Sequence, residues 1–174
     1  MFYSEIYDEL HIEENNVNFR FKQMVTGIVT RGSVLNLIFG FGELRYLFGY
    51  TYVDARQETD SGYINLPLVS RHRVNQVIMW EREDDFRIGF EAYYYSDQLR
   101  ENDTKGRDYW FFGLMMEKKL SEPVSAFLNF ENFTDSRQTR YEDINSGNLE
   151  NPNFRDIYAP LDGFVINGGV RVRF

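Results

Sequence analysis

Two histidines and a run of acids are the side chains whose types could do chemistry: His11, His72, and Glu81, Glu83, Asp84 and Asp85. A histidine beside a carboxylate could relay a proton or ligate a metal. Close carboxylates could hold a hard cation. The spacing supports neither. The histidines are far apart in sequence, and His72, between Arg71 and Arg73, reads as a loop or strand-start residue. The four acids read as a solvated turn. Asp103, Asp108 and the acids between Asp135 and Asp156 lack metal-ligand spacing. Gly40-Phe41-Gly42 reads as a tight turn, not a phosphate loop, and there is no Gly-x-Ser-x-Gly elbow. Without cysteine there is no thiolate nucleophile, disulfide framework or thiolate-bound metal. The sequence therefore predicts no catalytic residue, no cofactor-binding residue, no metal site and no enzyme.

Composition narrows the class. The 174 residues suit one domain or a piece of a larger one. A net charge of −8, with arginines scattered among acids, argues against nucleic acid as a partner. Aromatics reach 17%, including 12 Tyr and 16 Phe. No apolar run is long enough for a transmembrane helix. The opening Met1–Glu9 is not a signal peptide, so the expectation is either a cytoplasmic chain or one whose natural front end is missing.

Period-two alternation organises most of the chain. In the last segment Phe164, Ile166, Gly168, Val170, Val172 and Phe174 share one face; Val165, Asn167, Gly169, Arg171 and Arg173 share the other. Phe86–Ser96, Glu43–Asp54, Val124–Phe133 and Arg107–Lys118 alternate likewise. Met1–Ile12 alternates around Phe2, Ile6 and Leu10, and Ile28–Phe39 around Leu35, Leu37 and Phe39. Arg73–Glu83 is ambiguous in its faces. This predicts about eight strands, longer than the usual ~5–6 residues and long enough to cross a bilayer at a tilt.

The connections alternate as well. Tight turns are expected at Gly40–Gly42, Glu83–Asp85 and Leu120–Pro123. Long polar loops are expected at His11–Asn16, Glu58–His72, Gln98–Gly106 and Asp135–Asp162. Tight turns at one end and long loops at the other are the pattern of an up-and-down membrane barrel. Lipid offers backbone groups no partner, so a sheet that spans it must close. The apolar face then meets lipid and the Arg, Glu and Asn face a wet interior, with Tyr46, Trp80, Tyr94 and Trp110 suited to the interfacial belts. A soluble sandwich or lipocalin-like barrel is the competing pattern, with the apolar face turned into a core.

Several motifs carry a family resemblance. A terminal strand ending at Phe174 resembles the signal that the bacterial barrel-assembly machinery reads. Asn129–Gln138 (NFENFTDSRQ) and Tyr158–Gly163 (YAPLDG) together resemble the closing segment of TonB-dependent outer-membrane receptors of Bacteroidetes type. So do Gly49–Ala55 (GYTYVDA), Leu66–Arg73 (LPL…HR) and Thr30–Gly32 (TRG), although Ser33-Val34 stands where the family commonly has an acid. The resemblance implies an all-β, antiparallel, up-and-down transmembrane barrel segment, the last part of a 22-stranded barrel with a plugged lumen. Residues 1–174 would be its C-terminal portion, beginning at an internal Met1, with the plug and signal peptide absent.

The implied role is nutrient uptake across the bacterial outer membrane, for example of a ferric siderophore, haem, a cobalamin or a glycan. The implied partners are outer-membrane lipid, the barrel-assembly machinery, a small nutrient at the extracellular loops, and TonB through the missing plug region. Tyr63, Arg71, Tyr141 and Tyr158 are possible loop contacts, each equally readable as loop packing. The alternative is a complete eight-stranded outer-membrane barrel with a structural or adhesive role. A lipid-embedded enzyme lacks an evident Ser/His pair.

Overall fold

The computed structural model describes residues 1–7, 10–15, 18–23, 27–59, 61–145, 147–148 and 150–173, with 10–15 and 18–23 described by backbone pairing alone. Phe174, which carries the terminal-signal reading, lies outside the described residues.

The strands are β1 (Phe2–Ile6), β2 (Leu10–Asn15), β3 (Asn18–Gln23), β4 (Ile28–Phe41), β5 (Leu44–Thr59), β6 (Gly62–Asn65), β7 (His72–Arg82), β8 (Phe86–Tyr95), β9 (Tyr109–Ser121), β10 (Val124–Glu131) and β11 (Val165–Val172). One sheet runs β1-β4-β5-β7-β8-β9-β10-β11, with β6 added to β5. All its pairings are antiparallel. The path of eight strands is the one the alternation predicts. Its two ends, β1 and β11, do not pair with each other, so the sheet is open. The protein is all-β: the one helical element among the described residues is a 3-10 turn, Gln138–Arg140.

Three expectations need correction, the first being the loop at His11–Asn16, because Leu10–Asn15 is the strand β2. Met1–Ile12 is not one strand: β1 ends at Ile6, and β2 begins at Leu10 and turns back onto β3. The segment 58–72 is not all loop, because β5 continues to Thr59 and β6 folds back on it.

The connections follow the predicted alternation. Gly42-Glu43 joins β4 to β5, one step later than the expected Gly40–Gly42, and Gly42 takes φ +61 with open space around it. Glycine at the first central position is what a two-residue hairpin of this kind requires. Glu83–Asp85 joins β7 to β8, and Asp84 accepts φ +59. Glu122-Pro123 joins β9 to β10, where a register shift leaves Leu120 as the extra residue. All longer connections lie at the opposite end.

Register carries each strand's alternation across the whole sheet. One row reads Ile166, Phe130, Leu114, Phe90, Ile78, Tyr46, Phe39 through seven strands. The neighbouring row, on the other face, reads Asn167, Asn129, Met115, Gly89, Met79, Arg45, Gly40. This also assigns β7: Val74, Ile78 and Trp80 join the apolar face, with Gln76 among them. Gln76 is tolerated there because the Tyr46 hydroxyl donates to its Oε1 at 2.9 Å.

The apolar face covers no core. Among the described residues only Ile28, Ala55, Ala92 and Tyr158 are buried hydrophobics, while Ile166 is 55% exposed and Val170 65%. A soluble sandwich would bury this face.

Candidate functional site

Three long segments stand at the end of the sheet opposite the tight turns: 60–71, 96–108 and 132–164. They brace one another. The Leu68 amide donates to the Leu99 carbonyl at 2.8 Å, and the buried Ser70 hydroxyl reaches the Ser96 carbonyl at 3.2 Å. The Glu101 amide donates to Asp156 Oδ2 at 2.8 Å, and Gln98 Nε2 to the Tyr158 carbonyl at 2.9 Å.

Gln138 is the hub. It has no exposed surface, and its amide is fully engaged. Nε2 donates to the Asp156 carbonyl at 2.8 Å and to Glu142 Oε1 at 3.1 Å. Oε1 accepts the amides of Tyr158 and Ala159 at 3.0 and 3.4 Å. A buried carboxamide is stable only when its donors and acceptors are met in this way.

Beside it Arg100 grips Glu142 with two nitrogens, at 2.7 and 3.0 Å, and stacks 4.8 Å from the Tyr158 ring centre. Burial raises the cost of charging Glu142. The hydrogen bonds from Arg100 and Tyr158 outweigh that cost and hold its carboxyl below the ordinary range. The loop bases are pinned separately. Asn132 Nδ2 donates to the carbonyls of Ser136 at 2.9 Å and Asp162 at 3.0 Å.

The two stretches that suggested a closing segment, Asn129–Gln138 and Tyr158–Gly163, thus touch each other, through Asn132 and through Gln138. Of the possible loop contacts, Tyr158 is buried and serves as packing. Tyr63 and Tyr141 are exposed, Tyr141 under the Arg107 guanidinium at 4.6 Å. Arg71 bonds Asn65 Oδ1 at 2.9 Å. A cavity of about 240 Å³ opens between the first two loops, lined by Leu66, Arg71, Asp97, Leu99 and Lys105 among others. The sequence reading missed the Gln138 hub and the Arg100–Glu142 pair. Only the motif status of Gln138 pointed toward either.

Three of the acids singled out for chemistry are paired with cations. Glu81 pairs with Arg87, Asp85 with Lys118, and Asp84 with Lys119 at 2.6 Å. The Lys119 hydrogen bond holds the Asp84 carboxyl low. Among the described residues no three His, Asp or Glu side chains gather as a metal site. His72 opens β7 and bonds the Tyr50 hydroxyl through Nδ1 at 2.9 Å.

On the polar face the charges form a ladder near the tight turns: Glu81 on β7, Arg87 on β8, Glu117 on β9 and Arg171 on β11. Arg171 spans β10 to reach Glu117 at 3.1 Å, and Ser125 donates to the same oxygen at 3.1 Å. On the apolar face Trp80 lies near the tight turns, its Nε1 donating to Glu43 Oε2 at 3.1 Å. Tyr94 and Trp110 lie at the loop end, packed 5.1 Å apart.

Neither known protein families nor curated proteins give a match to the chain. Among solved structures, the ferric-catecholate import receptor Fiu from K12 E. coli, in its closed form, is similar in fold. The TM-score is 0.63 at 15% identity, covering 97% of this chain and 24% of that one. The chain therefore spans about a quarter of that receptor's length, and the likeness is one of fold alone.

Proposed function

We propose that residues 1–174 form the C-terminal part of a TonB-dependent outer-membrane receptor barrel that imports a scarce nutrient such as a ferric siderophore. The observation that carries this reading is the difference between the two faces: an uncovered apolar row beside a row that mixes polar, glycine and methionine residues, register by register, with the long loops at one end. In such a barrel the apolar face meets lipid and the Glu81–Arg171 ladder lines the wet interior.

The braced loops would form part of the extracellular mouth, where exposed Tyr63 and Tyr141 are available to a ligand. Transport of this kind is binding and gating, with energy delivered by TonB through a plug region, and it asks no covalent chemistry of these residues. The neighbouring receptor's ferric-catecholate import makes iron chelates the first substrates to test. The barrel-assembly machinery would engage the last strand. A closed eight-stranded barrel gains no support, because β1 and β11 lie at opposite ends of the sheet and do not pair with each other.

The test is uptake by the source cells. Deleting the gene should remove the protein from the outer-membrane fraction and abolish accumulation of one radiolabelled iron chelate, and loss of TonB should do the same. Recovery of the protein in a soluble fraction would overturn the proposal.

A further inference from the structure

Resting on the reading that the apolar face meets lipid, we propose that Arg31, Arg56 and Arg71 form a site for the phosphate of a lipid headgroup, on the outer face of the sheet at the loop end. The three guanidinium groups surround one carboxylate, Asp54, which is 3% exposed. They lie 2.9, 3.1 and 3.8 Å from its oxygens. One buried negative charge thus gathers three positive ones, and the arginine side chains are 61%, 45% and 45% exposed. Glu5 shares the Arg56 row, but two strands away, where the Tyr3 hydroxyl donates to its carboxylate. Around Asp54 itself the arginines outnumber the acid three to one, with Glu58 exposed two residues beyond Arg56 on the same face.

Its position argues for a lipid. Leu35, Leu37 and Phe39 on β4 alternate onto the same face as Arg31, and Phe48, Tyr50 and Tyr52 on β5 onto the same face as Asp54 and Arg56. Along that face apolar residues give way to the Tyr50, Tyr52 and His72 rings, and these to the arginines. Asp54 stands about ten residues along β5 from Leu44, or about 34 Å of strand. At a tilt of about 40° that is about 26 Å along the membrane normal, where an apolar band of about 25 Å ends. Headgroup phosphates lie at that depth, and a guanidinium matches a phosphate with paired donors.

The experiment uses protein extracted from its own membrane in mild detergent, offered phosphatidic acid, phosphatidylcholine or inorganic phosphate, and read by native mass spectrometry. Wild-type protein should retain phosphatidic acid at least about tenfold over phosphatidylcholine, and inorganic phosphate should not displace it. The double variant R56Q/R71Q leaves Asp54 paired with Arg31, so folding is preserved, and should lose the preference. R56K/R71K should keep part of it. Equal retention of both lipids, or an unchanged preference in R56Q/R71Q, would overturn the site. Displacement by inorganic phosphate would make it a free-anion site and overturn the lipid assignment. Protein that needs no detergent would instead refute the underlying membrane reading.

Discussion

Asn132 and Asp162, thirty residues apart, are joined by a single carboxamide: Asn132 Nδ2 donates to the Asp162 carbonyl at 3.0 Å. The same side chain donates to the Ser136 carbonyl and accepts the Ser136 amide, both at 2.9 Å. Asn132 is buried and holds φ +45, a conformation asparagine tolerates better than most residues. One residue therefore ends β10, starts the loop and fastens its far end. Replacing Asn132 by Ala should cost about 1–3 kcal/mol and speed proteolytic cleavage within 133–161. Limited proteolysis checks this, and a cleavage pattern like wild type would reject the pin.

The Arg100–Glu142 pair makes the loop assembly acid-sensitive. The Glu142 carboxyl is held below its ordinary value of 4.5 when folded. Its stabilising contribution is thus fully present above that ordinary value and lost as pH falls through the lower folded one. Amide exchange in 96–108 and 136–158 should be flat near neutrality and rise, after correction for intrinsic rates, only in acid below about 4.5. Arg100→Leu should move the onset upward.

Face assignment is testable by placing one charge on each side. Val170→Arg or Leu114→Arg puts a cation on the apolar face and should cost about 2–4 kcal/mol if it reaches the bilayer midplane. Asn129→Arg lies on the other face, in register with Asn167, and should be far milder. Equilibrium folding into lipid vesicles measures both, and equal penalties would refute the assignment.

The open margins of the sheet also carry a prediction. β1 and β11 each pair on one side only, leaving a row of backbone donors and acceptors free. The chain by itself in buffer should self-associate, a process that sedimentation follows directly. A stable monodisperse monomer would contradict it.

Much of this architecture was legible in the residues because a two-residue period needs no tertiary information. The apolar sets of β5, β8, β10 and β11 appear in the sheet as the alternation places them. β7 resisted because Gln76 sits on the apolar face while Val77 and Met79 sit on the polar one. Only its partners decide that strand, the Tyr46 hydroxyl satisfying Gln76 and the β8 register fixing the rest. β6 escaped notice because a four-residue strand lives on its neighbour's hydrogen bonds. The loop braces were harder still. Arg100 and Glu142 meet across 42 residues, and no local pattern announces such a meeting.

The scarcity of buried hydrophobic side chains has a calorimetric consequence. Unfolding adds heat capacity chiefly by wetting apolar surface that was dry. Here most of that surface is uncovered from the start. For its 174 residues the protein should therefore melt with an unusually small heat-capacity increment and a shallow urea slope. Its resistance to denaturation would be set by the medium that coats it.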